Sequence, residues 1–167
     1  MMVHPVGSFE DVRQALKPEA ETDNGPYYCY YPSFLDCCMI LARMAERSGQ
    51  SVYLLLCTLT EKSGKEFRDS DKLEEQMELF KRVIGETFRK GDLYTKYSRS
   101  QFLVILSGTE LENGILAFNR LRERWESMEG AHGTISYSLE SLLNLRGIEK
   151  KKKSSISWGD SGRKWGN

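Results

Sequence analysis

A sheet with helices packed on it, of the α/β or α+β class, is what this sequence predicts. Three observations carry that expectation. Val52 to Leu59 is an unbroken β-type apolar run, as expected of a strand covered on both faces. Asp92 to Ser107 holds two more β-type runs around the polar break Ser98 to Gln101, a hairpin signal. Between and around them lie stretches with helical rather than alternating periodicity.

Taken in order, Met1 to Ala15 reads as a weakly amphipathic lead-in. A helix is expected from Ser8 through Leu16, with Ser8 as its N-cap and Asp11 in the capping-box position. Lys17 to Pro26 is a polar loop ending in Asn-Gly-Pro. Tyr27 to Tyr31 sets four aromatics in five residues. That run is expected as an extended arm over the core, since aromatics bury large areas. The competing reading is a stacking platform for a base or an aromatic ligand.

Pro32 and Ser33 open a helix to Arg47 with an apolar stripe of Phe34, Cys38, Leu41 and Ala45, and Gly49 as its stop. After the Val52–Leu59 strand and a polar connection, Leu73 to Phe88 forms a helix whose apolar face is Met77, Phe80, Ile84 and Phe88. This helix supplies the crossover that a parallel strand neighbour needs. Glu110 to Trp125 is the next helix, Thr134 to Leu139 a short strand, and Ser141 to Leu145 one helical turn. From Arg146 on, Lys, Ser and Gly dominate, which predicts disorder. The organisation expected is therefore a lead-in and aromatic arm (1–32), one domain with an N-terminal helix (33–145) and a basic tail (146–167).

The totals narrow the function classes. The chain has 167 residues, enough for one domain, and equal numbers of basic and acidic residues (24 each), so no global field calls for nucleic acid or an anionic membrane. The basic block Lys150 to Lys153, near Trp158 and Trp165, reads as a solvated tail, with nucleic acid, an anionic surface or a partner domain as the alternative contact. Cys29, Cys37, Cys38 and Cys57 lack paired metal-ligand spacing and are expected as free thiols in a reducing cytoplasm. Cys57, inside an apolar run, reads as a small buried hydrophobe. No apolar run approaches the ~20 residues that span a bilayer, and no secretion signal is read at the N-terminus. His4 and His132 have no placed partner for acid–base work.

A pattern of residues carries a resemblance. The strand, Arg89-x-x-Asp92, five residues, a turn followed by Phe102-Leu-Val-Ile-Leu106, then Gly108-Thr109, a helix and Thr134-Ile135-Ser136 resemble a GGDEF domain, the diguanylate cyclase fold. The likeness covers residues 50–139. Ser98-Arg99-Ser100-Gln101-Phe102 falls on the signature Gly-Gly-Asp-Glu-Phe, and only Phe102 of it is kept. The fold implied is a nucleotide-cyclase-like sheet with a central hairpin, helices packed on it and an N-terminal helical extension. A narrower likeness joins the Gly-Pro-Tyr-Tyr-Cys run and the Arg47–Leu54 junction to the C-terminal region of bacterial transcriptional activators with winged-helix and BTAD domains (the SARP and AfsR-like regulators). It implies partners in the DNA-binding and activator domains of the same regulator, and no direct DNA binding by this domain.

The resemblance also implies what is missing. Active members hold metal ions with one carboxylate at the end of the first strand and another in the turn. Here the strand position is Cys57 and the turn positions are Ser100 and Gln101, and neutral oxygens alone hold Mg²⁺ poorly. The family's two glycines are Ser98 and Arg99, so a side chain stands where backbone approaches nucleotide. The base-holding positions fall near Lys65 and Leu73 or Glu74. The expectation is therefore no enzyme, no metal, no cofactor and a regulatory or interaction module, with a weak enzyme using other residues as an outlying reading. Arg89 and Asp92 match the family's inhibitory Arg-x-x-Asp site, which implies cyclic di-GMP as a ligand; a local surface ion pair is the plainer reading. Family members often dimerise. A homodimer is one arrangement of this chain, although two half-sites no longer meet over one product.

Overall fold

The computed structural model describes residues 8–18 and 24–148, together with the backbone of 156–158 and 164–165. The elements run α1 (Glu10–Ala15), β1 (Tyr27–Tyr28), α2 (Tyr31–Ser48), β2 (Val52–Thr60), α3 (Ser70–Thr87), β3 (Leu93–Ser98), β4 (Gln101–Ser107), α4 (Leu111–Ser127), β5 (Thr134–Ser141), α5 (Leu142–Leu145), β6 (Ile156–Trp158) and β7 (Lys164–Trp165). They build one mixed sheet in the order β1-β3-β4-β2-β5-β6-β7, and the mixed α/β class expected from the sequence is the class observed.

The sheet is covered on both faces because the strands alternate. Leu55, Cys57 and Leu59 of β2, Phe102, Val104 and Leu106 of β4, and Ile135, Tyr137 and Leu139 of β5 face one core. Over them lie Met77, Phe80, Val83 and Ile84 of α3 and Phe118, Leu121 and Trp125 of α4. On the other face, Val52, Leu103 and Ile105 meet Phe34, Cys38, Ala42 and Ala45 of α2 and Leu142 of α5. A buried Leu- or Phe-sized side chain contributes about 1.5–3 kcal/mol, so both layers are substantial. β2 sits centrally between β4 and β5, as its unbroken apolarity implied.

Several local expectations are corrected. β2 has no parallel neighbour: it pairs antiparallel with both β4 and β5. The α3 crossover does return a strand of the same direction, β3, but β4 folds back into the space between them. The aromatic arm does not merely lie over the core. Tyr27 and Tyr28 pair in parallel with Leu93 and Tyr94 and extend the sheet edge. Tyr28 packs edge-on to Tyr94 at 5.0 Å and carries Lys81 Nζ 3.9 Å from its ring centre, while Tyr27 and Tyr30 stay exposed.

On α2 the fourth buried position is Ala42, with Leu41 only half-buried. The helix does end at Gly49, whose φ of 77° is the left-handed stop that favours glycine. α1 begins later than expected. Ser8 accepts a hydrogen bond from the Glu10 N–H at 3.2 Å, but Phe9 precedes the helix and caps nothing with its side chain. In the tail, β6 pairs with β5 and β7 with β6, where disorder was expected. The Lys150–Lys153 block lies outside the described residues, as does His4.

Candidate functional site

The hairpin of β3 and β4 has two ends, and each places residues of interest. At its tip Ser98 pairs with Gln101 and the turn is Arg99-Ser100. Two-residue hairpin turns ordinarily take positive φ and therefore glycine. Among the described residues no non-glycine has positive φ. A register shift between Lys96 and Ser98 leaves Tyr97 unpaired, and this bulge accommodates a turn without glycines. Tyr97 is accordingly half-exposed, and its ring lies 5.5 Å from that of Tyr31.

The tip's polar groups are tied to one another and to neighbouring elements. Ser98 Oγ donates to Gln101 Oε1 at 2.8 Å, and Gln101 Nε2 donates to Thr58 Oγ1 at 3.0 Å. The Ser100 carbonyl accepts the Leu59 N–H at 2.9 Å. Arg99 reaches across to the start of α3, donating to Ser70 Oγ at 3.1 Å. Ser70, Leu73, Glu74, Lys96 and Arg99 line a shallow depression of about 340 Å³ there. Leu73 is buried in the core and Glu74 is exposed.

Cys57 lies opposite Phe102 and points into the α3–α4 core, fully buried. Burial alone pushes its thiol far above the ordinary range. A metal ligand would have to be the thiolate. These residues do not fit a divalent cation: the strand position offers a buried protonated thiol, and the turn offers a hydroxyl and an already bonded amide. Among the described residues, no group of three or more His, Cys, Asp or Glu converges as a metal site.

The base of the hairpin is organised differently. Phe88 ends α3, and the chain turns through Arg89 to Asp92 before β3. Asp92 is buried, and its Oδ2 accepts the Arg89 backbone N–H at 3.0 Å. The Arg89 guanidinium, 61% exposed, sits 3.5 Å from Asp92 Oδ1. It also donates to the Ser107 carbonyl at 3.2 Å and to Thr109 Oγ1 at 2.9 Å. One arginine thus joins the end of α3 to the end of β4. Beside it is a cleft of about 240 Å³ whose lining includes Arg89, Asp92, Thr109, Asn113 and Arg120. The sequence pair Arg89 and Asp92 is brought together. Arg120 and Asn113, one helical face of α4, were not singled out from sequence, because a charged residue on an amphipathic helix carries no sign of what it faces.

Cys29 and Cys38 are buried near the half-buried Cys37. Burial, then the neighbouring Cys37, pushes Cys29 up to about 11 and Cys38 up to about 12. All four cysteines are free. His132 lies in the loop before β5, where its backbone N–H bonds Gln76 Oε1 at 2.6 Å.

Comparison with solved structures fixes the architecture. A DGC protein from Thermotoga maritima matches with TM-score 0.56 at 16% identity, over 70% of this chain and 81% of that one. The chain has the fold of diguanylate cyclase domains. The GGDEF domain of DgcB from Caulobacter crescentus, solved in complex with c-di-GMP, matches with TM-score 0.56 at 15% identity, over 83% and 81% of the two chains. The active GGEEF domain of a Vibrio cholerae diguanylate cyclase gives 0.52 at 13% identity, over 75% and 80%. No family model and no curated protein sequence matches the chain. At such identities the cyclase-like fold is what the likeness shows.

Proposed function

We propose that this chain is a non-catalytic regulatory domain: a cyclase-like fold that serves signal sensing or protein interaction without making a cyclic dinucleotide. The observation that supports this most is the hairpin tip. Ser100 and Gln101 stand where metal-holding carboxylates are needed, and Cys57 is sealed in the core. Phosphoryl transfer draws its rate from metal ions and positioned charge, and the tip offers neither carboxylate. Arg99, at a position where the resemblance implies a glycine that lets backbone approach a nucleotide, carries a side chain bonded to Ser70 instead. Incubation with GTP and Mg²⁺, followed by chromatography, is expected to give no cyclic di-GMP; product formation would overturn the proposal. In its finer form the domain closes a bacterial transcriptional activator. What supports this is the Gly25–Cys29 run and the Arg47–Leu54 junction. A gene encoding neither DNA-binding nor activator domain with it would remove that form.

The cleft at the hairpin base supports a second reading, a sensor for a cyclic dinucleotide. Arg89 and Arg120 border it with Asp92 and Asn113, a mix of cations and amide suited to phosphate and base edges. Calorimetry with cyclic di-GMP tests it. Binding that is lost in Arg89→Ala supports the sensor, and absence of heat at high micromolar ligand eliminates it.

A further inference from the structure

The three long helices treat solvent differently. On α3 no large hydrophobic side chain is exposed, and on α4 only Leu116 is. On α2, Leu35 (42%), Met39 (48%), Ile40 (58%) and Met44 (58%) are all exposed, although four other positions already fill the core. An α-helix turns about 100° per residue. On that wheel Asp36 and Arg43 fall on the midline of the outward face. Met39 and Ile40 flank them on opposite sides, and Leu35 and Met44 lie further out.

Asp36 and Arg43 are exposed and make no ion pair among the described residues. They stand seven residues apart, two turns and roughly 10 Å along the axis, so they cannot reach one another. Their numbers are symmetric about the midpoint between Met39 and Ile40.

We propose that α2 pairs antiparallel with α2 of a second copy about a two-fold axis at that midpoint. This symmetry sets Met39 beside Met39, Ile40 beside Ile40, and Asp36 opposite Arg43 twice over. A two-fold interface must be self-complementary, and this face is so in both shape class and charge. The apolar side chains supply burial and the two ion pairs fix the register. The pairing rests on neither the lost turn nor the hairpin-base cleft, so it stands or falls apart from both.

Sedimentation velocity of the full chain from low to high micromolar tests it, with wild type, Asp36→Arg, Arg43→Asp and the double swap compared. Wild type is expected to dimerise. Each single change sets like charges face to face and is expected to weaken association at least about tenfold, while the double swap restores it. A wild type that stays monomeric overturns the proposal. So does a dimer indifferent to both single changes, or a double swap that stays as weak as the singles. Circular dichroism of each variant confirms that it folds. Oxidative crosslinking of Met39→Cys gives an independent reading: a covalent dimer absent from wild type and from Glu46→Cys supports the axis, and equal crosslinking in all three overturns it.

Discussion

The two ends of one hairpin differ in what their polar residues accomplish. At the base, Asp92 is buried and takes bonds from Arg89, which continues to Ser107 and Thr109. At the tip, Ser98 and Arg99 are exposed and Ser100 is half-buried; beside the short Ser98–Gln101 bond, the tip is held at longer range by Arg99 to Ser70 and by the Leu59 N–H to the Ser100 carbonyl. The base carries the architecture: it joins α3, β3, β4 and the start of α4. The tip is tied to β2 and to the start of α3 by single hydrogen bonds. A fold of this kind can therefore vary its hairpin turn and keep its sheet, because most strand pairing and core packing lie below the turn.

The largest expected effect marks where the tip ends and the core begins. Phe102 lies two residues past the turn, yet it is buried against Phe80 at 5.5 Å and Tyr94 at 6.1 Å. Phe102→Ala should cost about 3–5 kcal/mol in urea unfolding. Next comes the base. Asp92→Ala strips the acceptor from the Arg89 N–H and should cost about 1.5–3 kcal/mol by the same measurement. If Asp92→Ala proved neutral, the base would be no more structural than the tip.

Alkaline pH probes the buried thiols on both faces of the sheet. Cys29 and Cys38 are raised from an ordinary 9.0 to about 11 and about 12, and Cys57 is raised as well. In the unfolded chain these thiols ionise first, so above pH 9 the folded state binds more protons. Stability is then fully present below about pH 9. It should fall as pH rises toward 11–12, by roughly 1 kcal/mol per pH unit for each thiol. The urea midpoint above and below that pH checks the direction; a midpoint rising with pH would contradict it. The smallest effect belongs to the tip itself. Arg99→Ala removes one exposed bond to Ser70 and should change stability by no more than ~0.5 kcal/mol. A loss near that of Asp92→Ala would erase the contrast between the two ends.

Much of this contrast was legible in the residues. Unbroken apolarity announced the central strand, and helical spacing announced Met77, Phe80 and Ile84 as a core face. The spacing from Arg89-x-x-Asp92 to the turn marks both ends of the hairpin in the sequence itself. Other features were not legible. The short Tyr27–Tyr28 strand pairs with residues more than sixty positions away, and no local pattern encodes such a partner. The insertion of β4 between β2 and β3 depends on which edge of β3 the hairpin folds against. The cleft lining from α4 was hidden for the same reason, since Arg120 and Asn113 come to line one cleft with Arg89 only after two helices settle on one sheet face.

The amino-acid order therefore sets which segments are helix or strand, which side chains are apolar enough to seek burial, and that the turn lacks carboxylates. These are local properties, written in periodicity and residue chemistry. Tertiary packing alone decides strand order, the second layer formed by α2, and the joining role of Arg89. It also decides which apolar residues of α2 are left facing water. Those depend on contacts between residues far apart in the chain, where the free energy of packing, not the local pattern, selects the partner.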